Sequence, residues 1–110
     1  MTHPLPISPP AGKLPSSDAA LYTCPAFIAA EVVSVRAVNT GAGTNETRIY
    51  LKRADEVTAH LLWVNLEAGW AALDTGRLPL RAGDAIWGVA TNADEVEYTL
   101  GVLEERLEVR

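Results

Sequence analysis

His3, His60 and Cys24 are the side chains of this sequence best suited to metal or nucleophilic chemistry. A metal site needs several converging ligands, and a catalytic histidine needs a positioned acid or nucleophile. No H-x-H, H-E-x-x-H or C-x-x-C spacing provides either, and no metal or cofactor is expected. His60 sits in an apolar run beside Leu61 and reads as a sheet residue. Cys24 precedes Pro25 in Leu21-Tyr22-Thr23-Cys24-Pro25. A lone cysteine with a distant histidine can be a nucleophile, but without a flanking signature its expected role is that of a small buried hydrophobe. The carboxylate pairs Asp55-Glu56, Asp94-Glu95 and Glu104-Glu105 could do acid–base work only if burial separated their pKa values. Each lies beside a turn or on a polar face, so solvated charge is expected.

Asn45-Glu46-Thr47 matches the N-x-T glycosylation acceptor, a short pattern that needs a secreted eukaryotic context. Gly41 and Gly43 lack the lysine and the following helix that phosphate binding requires. Trp63, Trp70 and Trp87 are many tryptophans for a chain of 110 residues. They can line a sugar-binding platform, fill a small core or anchor a subunit interface. Core or interface is the preferred reading. Nothing in these patterns points to catalysis, and the chain is not expected to be an enzyme.

The elements that must hold these residues are short. A chain of 110 residues, 48 % hydrophobic, makes one domain with one core. Its formal net charge of −5 argues against nucleic acid and against an anionic membrane surface as partners. No run approaches eighteen apolar residues, and no basic start leads into an apolar stretch. A soluble chain, intracellular when made, is expected. One cysteine excludes an internal disulfide framework.

Residues 1–18 hold five of the seven prolines. Proline fixes φ and removes backbone donors, so an extended arm without regular ladders is expected. It is either a frayed terminus or an arm on a neighbouring subunit anchored by Leu5, Ile7 and Leu14. Residues 19–110 form the expected domain. Val33, Val35 and Ala37 share one face of a strand over 30–39, with Val32, Ser34, Arg36 and Val38 on the other. Thr47, Ile49 and Leu51 alternate with Arg48, Tyr50 and Lys52. Residues 57–73 fit a strand, with a short helix as competitor because Val57, Leu61 and Val64 have helical spacing. Asp74-Thr75-Gly76 reads as a turn and Leu78-Pro79-Leu80 as an edge-like segment. Strands over 85–91 and 96–102 follow, with a bulge or bend expected near Glu104-Glu105, where the apolar register slips. Leu66-Glu67-Ala68-Gly69 and Leu80-Arg81-Ala82-Gly83 look like two similar turns. Seven or eight short strands between turns predict an all-β antiparallel sandwich, jelly-roll-like, with an extended proline-rich arm.

The order of motifs adds a resemblance. Leu21-Tyr22-Thr23-Cys24-Pro25-Ala26 leads into a strand ending Asn39-Thr40, then Thr47-Arg48-Ile49-Tyr50-Leu51. Leu66-Glu67-Ala68-Gly69, Leu73-Asp74-Thr75-Gly76 and Leu80-Arg81-Ala82-Gly83-Asp84 follow. From about Leu21 to Gly101 the chain resembles small β-sandwich virion proteins of tailed bacteriophages and related gene-transfer particles. The resemblance implies a structural virion component, a capsid decoration or head-associated protein that assembles in the bacterial host cytoplasm. It implies a homotrimer touching the major capsid protein or another virion protein. It brings no functional residue set, so the interface candidates remain Leu5, Ile7, Leu14, Trp63, Trp70 and Trp87. A tail- or fibre-associated carbohydrate-binding sandwich that takes a host glycan is the alternative.

Overall fold

The computed structural model describes residues 5–54 and 56–107; His3 and Asp55 lie outside them. The strands are β1 (Leu5–Pro6), β2 (Ala11–Lys13), β3 (Ala19–Thr23), β4 (Ile28–Asn39), β5 (Asn45–Arg53), β6 (Glu56–Leu66), β7 (Ala71–Leu80), β8 (Ala85–Ala90) and β9 (Val96–Arg106). No helix occurs among the described residues. One sheet has the order β1-β9-β4-β7, with β2 also on β9, and the other has the order β3-β8-β5-β6. All pairings are antiparallel. β2 pairs β9, β3 pairs β8, β4 pairs β7 and β5 pairs β6, so the chain is one long folded ribbon rolled into two sheets. This nesting is the jelly roll, and the expected antiparallel sandwich is the observed fold.

Among the described residues nine strands form where seven or eight are expected, because the proline-rich segment forms ladders after all. Leu5 and Pro6 lie opposite Glu104 and Leu103, and Ala11 to Lys13 opposite Thr99 to Glu97. Proline lacks a donor but keeps its carbonyl. The Leu100 amide donates to the Pro10 carbonyl (2.9 Å) and the Ala90 amide to the Pro15 carbonyl (2.9 Å). Extended geometry from proline therefore suits an edge segment accepting bonds from β8 and β9.

Inward-facing residues of both sheets make the core. Leu14, Ile49, Leu51, Ile86, Leu100 and Val35 are at most 1 % exposed. Full burial of each such side chain contributes about 1.5–3 kcal/mol. β4 does not keep one alternation along its length. Its partner register shifts between Val32 and Ser34 against both β9 and β7. Val33 is the extra residue of a bulge, so Ala30 and Val32 face the core before it and Val35 and Ala37 after it. The expected face pairing Val33 with Val35 and Ala37 is thus corrected, since strict period two cannot anticipate an inserted residue.

The bulge in β4 also corrects two neighbouring expectations. β7 runs through Asp74-Thr75-Gly76 without a turn, and Gly76 and Arg77 take up the slack opposite Val33. β9 stays in register with β4 through Glu104 and Glu105, with no bulge there. The apolar phase slips because Glu104 takes an inward position, where it accepts a hydrogen bond from Tyr22 Oη (2.5 Å). Residues 56–66 are a strand and not a helix, since they pair along β5 with two register shifts.

The two L-x-A-G segments are equivalent turns. Gly69 (φ 80°) and Gly83 (φ 90°) hold the left-handed position that L side chains disfavour. The Trp70 amide donates to Glu67 O and the Asp84 amide to Arg81 O. Each turn then exchanges two bonds with one earlier residue: Gly69 and Trp70 with Asn39, Gly83 and Asp84 with Cys24.

Candidate interaction surface

β5 presents Ile49 and Leu51 inward, so Arg48, Tyr50 and Lys52 point outward. Cross-strand register then decides what they meet. Arg48 lies opposite Trp63, and Tyr50 opposite both His60 on β6 and Trp87 on β8. The outer face of this sheet therefore carries a continuous row of rings and cations. His60 and Trp63 stack at 4.7 Å between centroids with 26° between planes, and Tyr50 sits 5.8 Å from His60. The Arg48 guanidinium lies over both the Trp63 ring (4.8 Å) and the Tyr50 ring (5.3 Å). Lys52 Nζ lies 4.0 Å from the Trp87 ring centroid. Such cation–π contacts contribute about 0.5–1 kcal/mol where exposed and more where desolvated.

Arg48 Nη2 is 3.1 Å from His60 Nε2. A guanidinium only donates, so this contact requires His60 neutral with its lone pair on Nε2. Arg48 Nε is buried without a hydrogen-bond partner, which leaves ring faces as its main recompense. Tyr50 Oη donates to Asp18 Oδ1, tying the end of the N-terminal segment to this face. Burial, then the bond to Asp18, pushes the Tyr50 phenol up to about 12.

The sequence candidates scatter around this row. Trp63 is in it and is 61 % exposed, while Trp87 is half-buried under Lys52. Trp70 lies in the β6–β7 turn, outside the row, and is 55 % exposed. Leu5 is exposed on the outer edge strand, and Ile7 packs half-buried on the core. Leu14 is fully buried in its own chain's core, so its apolar surface is already covered within the protomer. Arg48, Tyr50 and Lys52 were legible only as the polar side of a strand. Their partnership with His60 and Trp63 depends on the β5–β6 register, which the sequence does not display.

The other singled-out groups have structural surroundings. Cys24 is buried, and burial, then the Glu104 charge, pushes its thiol up, away from the thiolate a nucleophile needs. Burial, then the bond to Glu104, likewise raises Tyr22. Asn45 is fully buried and donates to Glu95 Oε1 (3.1 Å) and Asn39 Oδ1 (3.2 Å), so the folded chain offers no glycosylation acceptor there. Glu95 is thus part of an internal network and not simply solvated. Among the described residues no three His, Cys, Asp or Glu side chains converge as a metal site. A crevice of about 230 Å³ opens between the β4 bulge and the edges of β6 and β7. It is lined by Val33, Ser34, His60, Leu61, Asp74 and Arg77 among others.

No protein-family model matches the chain, and no curated protein does. Two solved structures resemble it from end to end. One is a chain of the Bacillus endospore appendages, described as a novel family of disulfide-linked pili (TM-score 0.55, 18 % identity, 98 % of this chain and 88 % of that one). The other belongs to the acid-stable capsid of Helicobacter pylori bacteriophage KHP30 (TM-score 0.53, 17 % identity, 100 % of this chain and 97 % of that one). At these identities the likeness establishes the shared fold.

Proposed function

We propose that this chain is a structural subunit of a tailed-phage virion, a capsid decoration or head-associated protein. It binds the major capsid protein or another virion protein, and its own copies as a trimer, after assembly in the host cytoplasm. The observation that supports this reading is the end-to-end match of one small jelly roll to a phage capsid chain. The match to a pilus chain adds a second protein of a repeating assembly. Exposed apolar side chains at several points of the surface, Leu5, Phe27, Trp63, Trp70 and Leu73, suit a subunit with more than one neighbour. The N-terminal segment is one contact: Leu5 is 66 % exposed on the outer edge while Leu14 anchors the same segment in the core. Immunogold electron microscopy of particles purified from producing cells tests the reading. Regularly spaced label on heads is the expected result, and unlabelled particles with the chain left in the soluble fraction would overturn it.

A second reading has its own observation. Trp63 is exposed on one sheet face, flanked by His60, Arg48, Asn65 and Glu46, which is how a sugar-stacking platform is built. A tail- or fibre-associated module that takes a host glycan follows. Binding on a glycan array that Trp63→Ala abolishes and Trp70→Ala spares would favour it.

A further inference from the structure

Among the described residues the two sheets have four free edges, and three of them are blunted. The outer edge beside β9 consists of a two-residue and a three-residue strand separated by Pro9 and Pro10. β3 is five residues long and carries a bulge between Ala20 and Tyr22. β7 is interrupted by the irregularity at Gly76-Arg77 and ends in Pro79-Leu80, with Asp74 and Arg77 along it. These are the usual devices against edge-to-edge pairing.

β6 has few of them. It is eleven residues long, contains no proline, glycine, lysine, arginine or aspartate, and its one acidic residue, Glu56, is at its start. Its register shifts against β5 both lie before Leu62, so the stretch from Leu62 to Leu66 pairs regularly and is uncharged. Leu62 and Val64 face inward yet remain partly exposed, because the sheet stops beside them. Trp63, held from behind by Arg48 and His60, faces outward.

We propose that β6 is a self-association edge: two copies pair antiparallel about a two-fold axis at Trp63. The two four-stranded sheets become one sheet of eight strands. The occupant is a second copy because the segment complements itself. Directly opposed residues of an antiparallel pair share a face. With the axis at Trp63, Leu62 meets Val64 of the other copy twice, on the inner face. Trp63 meets Trp63 on the outer face. No like charges oppose one another along this stretch, although the chain as a whole has a net charge of −5. The open main-chain donors and acceptors around Trp63 gain strand partners. The contact is short, so its association is weak in dilute solution and strengthens at the local concentration of an assembly. It belongs to the isolated chain and does not depend on the virion reading.

Directly opposed residues have Cα atoms about 4.5–5.5 Å apart, within disulfide range. Under mild oxidation Trp63→Cys is expected to give a covalent dimer at several times the yield of Ala93→Cys, a control on an exposed turn. In the uncrosslinked protein, Trp63→Lys places two like charges across the axis. It is expected to lower the self-association constant at least tenfold by sedimentation velocity, with the β-sheet circular dichroism unchanged. A trimer held through other faces would persist in both proteins without affecting the difference between them. Equal cross-linking at 63 and 93, or a self-association constant indifferent to Trp63→Lys, would overturn the proposal.

Discussion

Leu14 is seated directly over Gly88: its Cδ2 lies 2.8 Å from the point a Cβ on residue 88 would occupy. Leu21 Cδ1 closes in from the side at the same distance. An absent side chain in the middle of β8 thus makes the socket that receives the N-terminal segment. The Leu14 amide and carbonyl are held at the same time, by Val96 O (2.8 Å) and the Asp94 amide (3.0 Å). The proline-rich segment is consequently seated most deeply at Leu14, while Leu5 remains exposed.

Filling that socket should dislodge its occupant. Gly88→Val is expected to destabilise the chain by about 1–3 kcal/mol through overpacking, and Leu14→Ala by about 2–5 kcal/mol through the cavity it leaves. The two sites touch, so the costs should not add: Leu14→Ala with Gly88→Val is expected to be less harmful than the sum of the two. Urea unfolding of the three variants measures this, and strict additivity would show that Gly88 is not the floor of the socket.

The socket also marks where sequence reading stops. Alternation in Thr47–Lys52 and Val96–Val102, with turn residues between strands, suffices for an antiparallel sandwich, because each depends on neighbours in the chain. Paired L-x-A-G turns are legible for the same reason. Leu14 looks like an exposed anchor because its burial depends on Gly88, 74 positions away. The bulge at Val33 is invisible because β-branched residues fill both faces of that strand. Glu104 reads as a break in pattern, since the Tyr22 hydroxyl that meets its inward carboxylate lies 82 positions away. The row of Arg48, His60 and Trp63 requires the β5–β6 register, and register is a property of two strands together.

Asn39 ties the β4–β5 loop to the end of β6 at one end of the sandwich. Its Nδ2 donates to Gly43 O (2.7 Å) and Leu66 O (2.8 Å), and its Oδ1 accepts from the Gly41 amide (2.9 Å). The side chain is fully buried. Asn39→Ala leaves those groups without partners, each worth about 1–3 kcal/mol when buried and unpaired. A loss of about 3 kcal/mol overall is expected, with a fall in Tm of more than 10 °C in thermal unfolding. Asn39→Asp should be no milder, because it removes both donors. A variant within a few degrees of the parent would mean water replaces the network without cost.

Asp84 sets an acid limit. Burial works to raise its carboxyl pKa, but the Arg81 amide and the Arg53 guanidinium (both 2.9 Å) outweigh burial and hold it below the usual carboxylate value. A depressed folded-state pKa contributes stability that is present above the unfolded value, near 4, and lost as pH falls through the lower folded one. The parent should therefore lose stability below about pH 4 more steeply than Asp84→Asn, which lacks this contribution at every pH. Unfolding midpoints from pH 3 to 7 check it; parallel curves would remove Asp84 from the account.

Tyr50 sets an alkaline limit in the opposite sense. Its phenol is raised to about 12, by burial first and the bond to Asp18 second. The neutral phenol's contribution is fully present below the unfolded pKa near 10 and is lost as pH rises through 12. Tyr50→Phe should remove this loss between pH 10 and 12, at the expense of a neutral-pH deficit from the unpaired Asp18. Comparing the two proteins by denaturant unfolding at pH 8, 10 and 11.5 is decisive, because a purely structural tyrosine would shift both curves by one constant amount.

Two truncations separate the attaching end of the N-terminal segment from its structural end. Removing residues 1–9 deletes Leu5, Pro6 and Ile7 but keeps the Pro10 carbonyl under the Leu100 amide, the β2 ladder and Leu14. The lost ladder is two residues long, so a cost of about 1–2 kcal/mol and an unchanged circular dichroism spectrum are expected. Removing residues 1–18 also takes Leu14 and the acceptor of Tyr50. Those losses reach about 5 kcal/mol, comparable with the whole stability of a small domain. The longer truncation should therefore unfold or aggregate and says nothing about attachment. If Leu5 and its neighbours contact the particle, the shorter variant stays folded and its occupancy on purified particles falls at least severalfold, as read by quantitative mass spectrometry. A folded 1–9 deletion at full occupancy would assign attachment to the sandwich faces instead.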